Sequence, residues 1–149
     1  MQLTQTIFAA LFAASSVVAA PTPGKSMMTQ GVPEWTIEGV RRVCDGGDNQ
    51  CNWTFKINPV IYSRTPVNFV TKRNGNTGAS QNNGAAQKFG DYTITSGWSG
   101  QFGPGNGFTT FAVVDNKNRR IAWPAYTDKQ VQAGNVVSPD QSYAPQNLP

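Results

Sequence analysis

From Cys51 to Ile57 the apolar side chains fall at every second position, Cys51, Trp53, Phe55 and Ile57, with Asn52, Thr54 and Lys56 between them. Period two sends the first set to one face of a β-strand and the second to the other, so the segment reads as a half-buried strand. The stretch before it, Trp35 to Cys44, opens with the same alternation, Trp35 and Ile37 against Thr36 and Glu38. It then loses phase among Val40, Arg41, Arg42 and Val43. A bulge at Gly39 accounts for the slip. Between the two strands lies Asp45-Gly46-Gly47-Asp48-Asn49-Gln50, a run of turn-forming residues. It predicts a hairpin whose arms carry Cys44 and Cys51 opposite each other.

The rest of the chain continues in short strands. Pro59 stops the second arm because proline donates nothing to a ladder, and Val60-Ile61-Tyr62 reads as a short edge strand. Pro66 precedes a β-branched and aromatic run, Val67 to Thr71, closed by Lys72-Arg73. From Asn74 to Gln87 the residues are Asn, Gly, Ala, Ser and Gln with almost no large apolar side chain. Burial there does not offset the entropy of ordering, so a long mobile loop is expected. Lys88 to Trp98 reads as a strand with Tyr92 and Ile94 on its core face. Thr95 to Phe108 is a glycine-rich loop carrying aromatics. Thr109–Val114 and Arg119–Trp123 flank the polar turn Asp115-Asn116-Lys117-Asn118, which is a hairpin signal, and Pro124 ends its second arm. Asn135 to Ser138 is a last strand candidate before a polar tail punctuated by Pro139, Pro145 and Pro149. No stretch of ten or more residues in this part has a helical period. The pattern predicts an all-β fold, a single small β-barrel or β-sandwich with a long Asn/Gly-rich loop.

Ile7 to Val18 is uncharged and apolar, short for a bilayer span, and leads into Val17-Val18-Ala19-Ala20-Pro21. This is the pattern of a signal peptide over residues 1–19, cut after Ala19 because a proline directly after the cut is poorly accepted. Residues 20–33, rich in Pro, Gly, Ser and Thr, read as a flexible N-terminal arm, and 34–149 as the β domain. A secreted, extracellular protein follows, and two cysteines in such a chain read as a Cys44–Cys51 disulfide. The net charge of +4 is spread over Arg41-Arg42, Lys72-Arg73 and Arg119-Arg120. Such an excess favours anionic surfaces such as pectin, phospholipid or nucleic acid, but without a basic stripe the solvated-surface reading is preferred and no nucleic-acid partner is expected. No stretch after the signal peptide is apolar enough for a membrane helix, so stable membrane insertion is not expected either. Lys72-Arg73 before the loop is either a processing site or a charged strand end, and the second is preferred.

There is no histidine. That removes the usual general base, zinc ligand and nucleophile activator, and leaves carboxylate chemistry. Glu34, Glu38, Asp91, Asp115, Asp128 and Asp140 are available to a glycoside hydrolase, which needs two of them about 5–9 Å apart across a cleft. Asp45, Asp48 and Asn49 have turn chemistry rather than the alternating ligands of a calcium loop, and the glycines of 97–107 precede no helix or P-loop lysine. No metal or cofactor is therefore expected. Asn52-Trp53-Thr54 is an N-glycosylation sequon on the outward face of its strand. Trp98, Phe102, Phe108, Trp123 and Tyr126 form the candidate binding surface, able to stack on sugar rings or anchor a protein partner. The alternative, and the preferred one, is that they fold inward and plug one end of the domain.

The pattern Trp35-x-Ile37, Arg42-x-Cys44, Cys51-x-Trp53-x-Phe55-x-Ile57, with the later aromatic-glycine run and Trp123-Pro124-Ala125-Tyr126, resembles small secreted fungal proteins of the hypersensitive-response-inducing elicitor type. In size and β-rich character the chain is more distantly similar to the major Alternaria allergen family, from whose larger cysteine set it departs. The first resemblance implies a non-enzymatic effector that a plant receptor or cell-wall component meets at the cell surface, with no catalytic residue to carry over. The competing readings are a cell-wall carbohydrate-binding module built on the exposed aromatics and the carboxylate-dependent glycoside hydrolase.

Overall fold

The computed structural model describes residues 32–149. Ten strands run in the order β1 (Trp35–Cys44), β2 (Gln50–Asn58), β3 (Thr65–Lys72), β4 (Gly84–Phe89), β5 (Tyr92–Ser99), β6 (Phe108–Asp115), β7 (Arg120–Ala122), β8 (Ala125–Thr127), β9 (Gln141–Tyr143) and β10 (Gln146–Asn147). One short helix, α1 (Asp128–Val131), follows β8. The strands form two antiparallel sheets, one ordered β3-β2-β1-β9 and the other β10-β7-β6-β5-β4 with β8 paired to β6. The sheets are not joined into a barrel, so the all-β domain is a sandwich.

The stapled hairpin sets the inner face of the first sheet. Ile37 pairs with Ile57 and Cys44 with Cys51, and the register slips between Glu38 and Arg41. Gly39 sits at that slip with φ +63°, a conformation that costs glycine little, and its N–H donates to Asp140 Oδ1 at 2.8 Å. Before the bulge Trp35 and Ile37 point inward; after it Val40 and Arg42 do. One extra residue has exchanged the faces, and so an arginine lies on the core side.

The core is built by aromatic side chains meeting edge to face. Phe111 of β6 lies 5.0 Å from Trp53, 5.6 Å from Phe55 and 5.5 Å from Phe69, ring centre to ring centre. A ring from one sheet thus fills the space between three rings of the other. Trp35 meets Tyr92 in the same manner at 5.6 Å. Burying a large apolar side chain of this kind stabilises the fold by roughly 1.5–3 kcal/mol. Tyr92 and Ile94 face the core as the alternation predicted.

Four local expectations are corrected. The segment expected as a mobile loop from Asn74 to Gln87 is ordered over much of its length and ends in β4. Polar bonds hold it where apolar burial is scarce. Asp48 accepts from Ser80 through the backbone N–H at 2.9 Å and the hydroxyl at 2.7 Å. Gln87 returns two bonds to the backbone of Val70, and Gly84 lies so close to Phe69 and Ser96 that a Cβ there has no room. The strand expected over Lys88–Trp98 is broken by a tight turn at Gly90-Asp91, which pairs Phe89 with Tyr92. Val60-Ile61-Tyr62 forms no strand, but an exposed bend with Val60 at φ +73°. Of the strand expected at Asn135–Ser138, a single bridge between Val136 and Arg41 is formed. The β6–β7 hairpin is as predicted, its turn held by Asp115, whose Oδ1 accepts from the N–H groups of Lys117 and Asn118.

Candidate functional site

The aromatic residues singled out from the sequence separate into three environments. Tyr126, on β8 opposite Thr109, is 1% exposed and belongs to the core. Burial first, and Tyr143 second, push its hydroxyl well above the ordinary phenol range. Trp98 is half-buried, and its Nε1 donates to Asp128 Oδ2 at 2.9 Å. Gly100 and Gly107 lie against its ring so closely that any Cβ there collides with it. Tyr126 is thus turned into the core and Trp98 partly covered, and the glycines of the loop are what let the backbone close over Trp98.

Phe102, Phe108 and Trp123 remain at the surface. Phe102 is 66% exposed and Trp123 46% exposed. Phe102 stacks on half-buried Phe108 with ring centres 5.7 Å apart and planes 28° apart. The loop holding Phe102 is fixed by its own backbone: Gly103 N–H donates to Gly100 O, and Asn106 N–H to Gly103 O, both at 3.0 Å. Beside the stacked pair lies an open cleft of about 650 Å³, walled by Phe102, Asn106, Phe108, Thr127 and Lys129 among others. Lys129 Nζ rests 3.5 Å from Asn106 Oδ1.

The far wall of the cleft was not foreseen, although the sequence carries its signal. Thr127-Asp128-Lys129-Gln130 is a capping box, in which Thr127 Oγ1 accepts from Gln130 N–H at 3.2 Å and Gln130 Oε1 accepts from Thr127 N–H at 2.8 Å. That reciprocal pair starts a helix without needing a long periodic run. It also places Asp128 and Lys129 side by side, one turned to the ion pair with Arg42 and the other to the cleft.

Four of the six carboxylates considered for hydrolysis are engaged in holding the fold. Glu38 accepts from Arg64 Nε at 2.8 Å and Asn58 Nδ2 at 2.9 Å, and these bonds, Arg64's first, lower its pKa from the ordinary value. Asp115 caps its turn, Asp128 pairs with Arg42 and Trp98, and Asp140 holds the Gly39 bulge. Glu34 and Asp91 are exposed. Asp45 Oδ1 accepts from the N–H of Asn49 within its own turn at 2.6 Å. Cys44 and Cys51 are joined in a disulfide, so their sulfurs offer no thiolate to a metal although Asp48 lies beside them. Asn52 is partly exposed in β2, bonded by its amide to Asn68 Oδ1 at 3.2 Å and by its oxygen to Gln50 at 3.1 Å. At the end of β3, Arg73 reaches the hairpin loop, donating to Asn49 Oδ1 at 3.0 Å and Gly47 O at 2.8 Å, which ties that dibasic pair to the folded domain.

Residues 36–148 match the model of the family described as Effector TSP1. The chain belongs to that family. It is also 57% identical to Effector TSP1 of Hypocrea virens over 149 residues, the whole of both chains. A fungal effector is thereby the class of this protein, in agreement with the elicitor-type resemblance of its hairpin and aromatic motifs. The match covers both sheets, the disulfide and the Phe102–Lys129 cleft.

Proposed function

We propose that the protein is a secreted elicitor, acting outside the fungal cell on a plant surface component and triggering the hypersensitive response without catalysing a reaction. The observation that carries this reading is the full-length likeness to an effector, hairpin and cleft included. Three further features support it. The apolar N-terminal run ending in small residues suits export, and a disulfide persists in the oxidising space outside the cell. The acidic side chains Glu38, Asp115, Asp128 and Asp140 have structural partners, which leaves no ready pair for hydrolysis among them. The exposed aromatics Phe102 and Trp123 offer a partner something to grip.

Infiltration of the purified protein into leaves tests this, with cell death and oxidative burst scored against a heat-denatured sample and a Cys44→Ser/Cys51→Ser variant. The folded protein is expected to elicit both responses and the denatured sample neither. A response that survives denaturation, or none from the folded protein across a range of hosts, overturns the proposal.

A further inference from the structure

We infer that the Phe102–Phe108 cleft is a binding site for an acidic oligosaccharide, one built from uronic acid units. The inference concerns the cleft alone and does not depend on any host response.

Two sides of the cleft call for two different parts of one ligand. The outer face of Phe102 is a flat apolar surface at the rim, held at a fixed angle by stacking on Phe108 and by a loop braced by its own backbone bonds and by the Asn106 amide donating to Phe102 O. A pyranose presents an apolar C–H face of matching size, and stacking of this kind is the common use of an exposed, rigid aromatic ring. On the other side Lys129 is, among the described residues, the one charged side chain in the lining. No carboxylate pairs with it in the fold: the described ion pairs are Arg42–Asp128 and Arg64–Glu38. Its neighbour Asn106 offers an oxygen at 3.5 Å, which positions the ammonium and leaves its remaining N–H donors free. A neutral sugar satisfies the ring and leaves the ammonium without a counter-charge. A free carboxylate satisfies the ammonium and leaves the ring bare. A uronate residue supplies both groups on one ring, and the cleft is open at its mouth, so a chain of such units can run through it.

The test is calorimetric titration of the intact protein with oligogalacturonides, and in parallel with neutral cello- and chito-oligosaccharides of similar length. The acidic oligomer is expected to bind, with affinity falling as salt rises, and the neutral ones to bind at least about tenfold more weakly. Phe102→Ala and Lys129→Gln should each weaken acidic binding by about tenfold or more. Both residues are exposed, so unchanged thermal midpoints will show that the variants fold. Tyr62→Ala, an exposed aromatic outside the cleft lining, is the control and should bind as the parent does. Absence of binding, equal affinity for neutral and acidic oligomers, or binding unaffected by either variant overturns the inference. The last of these would mean that the anion meets the scattered surface cations instead.

Discussion

Arg42 Nη1 lies 2.7 Å from Asp128 Oδ1, an ion pair that ties β1 of the first sheet to α1, the helix that follows β8 of the second. Arg42 is 9% exposed, and its guanidinium also sits 5.5 Å from the ring centre of Trp53. It occupies a core-side position because the bulge at Gly39 exchanged the faces of β1. Asp128 completes the arrangement by accepting from Trp98 with its other oxygen. The pair therefore connects the bulge, the capping box and the glycine-rich loop in one polar contact partly shielded from bulk water.

Removing one partner of a shielded pair leaves the other charge without compensation. Asp128→Asn is expected to lower the unfolding free energy by about 3 kcal/mol, near the lower end for such pairs because the Asp128 side chain keeps some contact with water. Adding Arg42→Leu should recover part of that loss, since the double variant buries no unpaired charge. Urea denaturation of the two single variants and the double variant measures the coupling. Additive losses would show that the two side chains do not act as a pair.

The disulfide closes a short loop, with seven residues of sequence separation between Cys44 and Cys51. On the loop-entropy account its removal costs about 2–2.5 kcal/mol. Cys44→Ser/Cys51→Ser should therefore remain folded in ordinary buffer with a lower urea midpoint. Arg73 and the Asp45 turn still grip the hairpin loop in the variant, so hydrogen exchange should quicken mainly in Cys44–Cys51 and in the Ser80 segment that Asp48 holds. Loss of all native signal would show that the staple supports more than its own hairpin.

These contacts also mark what was legible in the sequence. Strict alternation at Cys51–Ile57 and the turn residues of Asp45–Gln50 and Asp115–Asn118 specify their structures locally, and those hairpins formed as expected. The bulge was legible as a broken phase. β4 was not, because Gly84, Ala85, Ala86 and Gln87 have no periodicity to detect; their order comes from Gln87 bonding a strand 17 residues away and from Gly84 fitting under Phe69. At the site, sequence supplied the aromatics but could not sort them. Tyr126 and Phe102 each lie two residues from a proline, Pro124 and Pro104, and only pairing with β6 draws the first inside and leaves the second out.

Burial, with the negative Asp115 and Asp91 nearby, pushes the Tyr92 hydroxyl up to about 12 from its ordinary 10. The folded state thus holds that proton more tightly than the unfolded chain does. The stability involved is fully present below the unfolded value and is lost as pH rises from about 10 through the folded value, on the order of 2–3 kcal/mol in all. Tyr92→Phe removes the ionisable group and keeps the ring against Trp35. Urea midpoints measured from pH 9 to 12 should fall less steeply for the variant than for the parent. Parallel slopes would mean that Tyr92 titrates alike in both states.

Val60 carries a β-branched side chain at φ +73°, a region where such residues are rare. The strain is not repaid by burial, since the side chain is 61% exposed. The conformation is imposed from outside: Pro59 ends β2, Asn58 Oδ1 accepts from Val60 N–H at 3.0 Å, and Ile61 N–H donates to Pro59 O at 2.8 Å. A non-glycine residue held there costs on the order of 1–3 kcal/mol. Glycine relieves it but gives back roughly 0.5–1 kcal/mol through the greater freedom of the unfolded chain. Val60→Gly is therefore expected to raise the unfolding free energy by about 1 kcal/mol. Val60→Pro should act in the opposite direction, because proline fixes φ near −65° and removes the N–H that Asn58 accepts from. Thermal and urea unfolding of the two variants decide the matter; a glycine variant less stable than the parent would show that the Val60 side chain makes contacts in the fold worth more than the strain it carries.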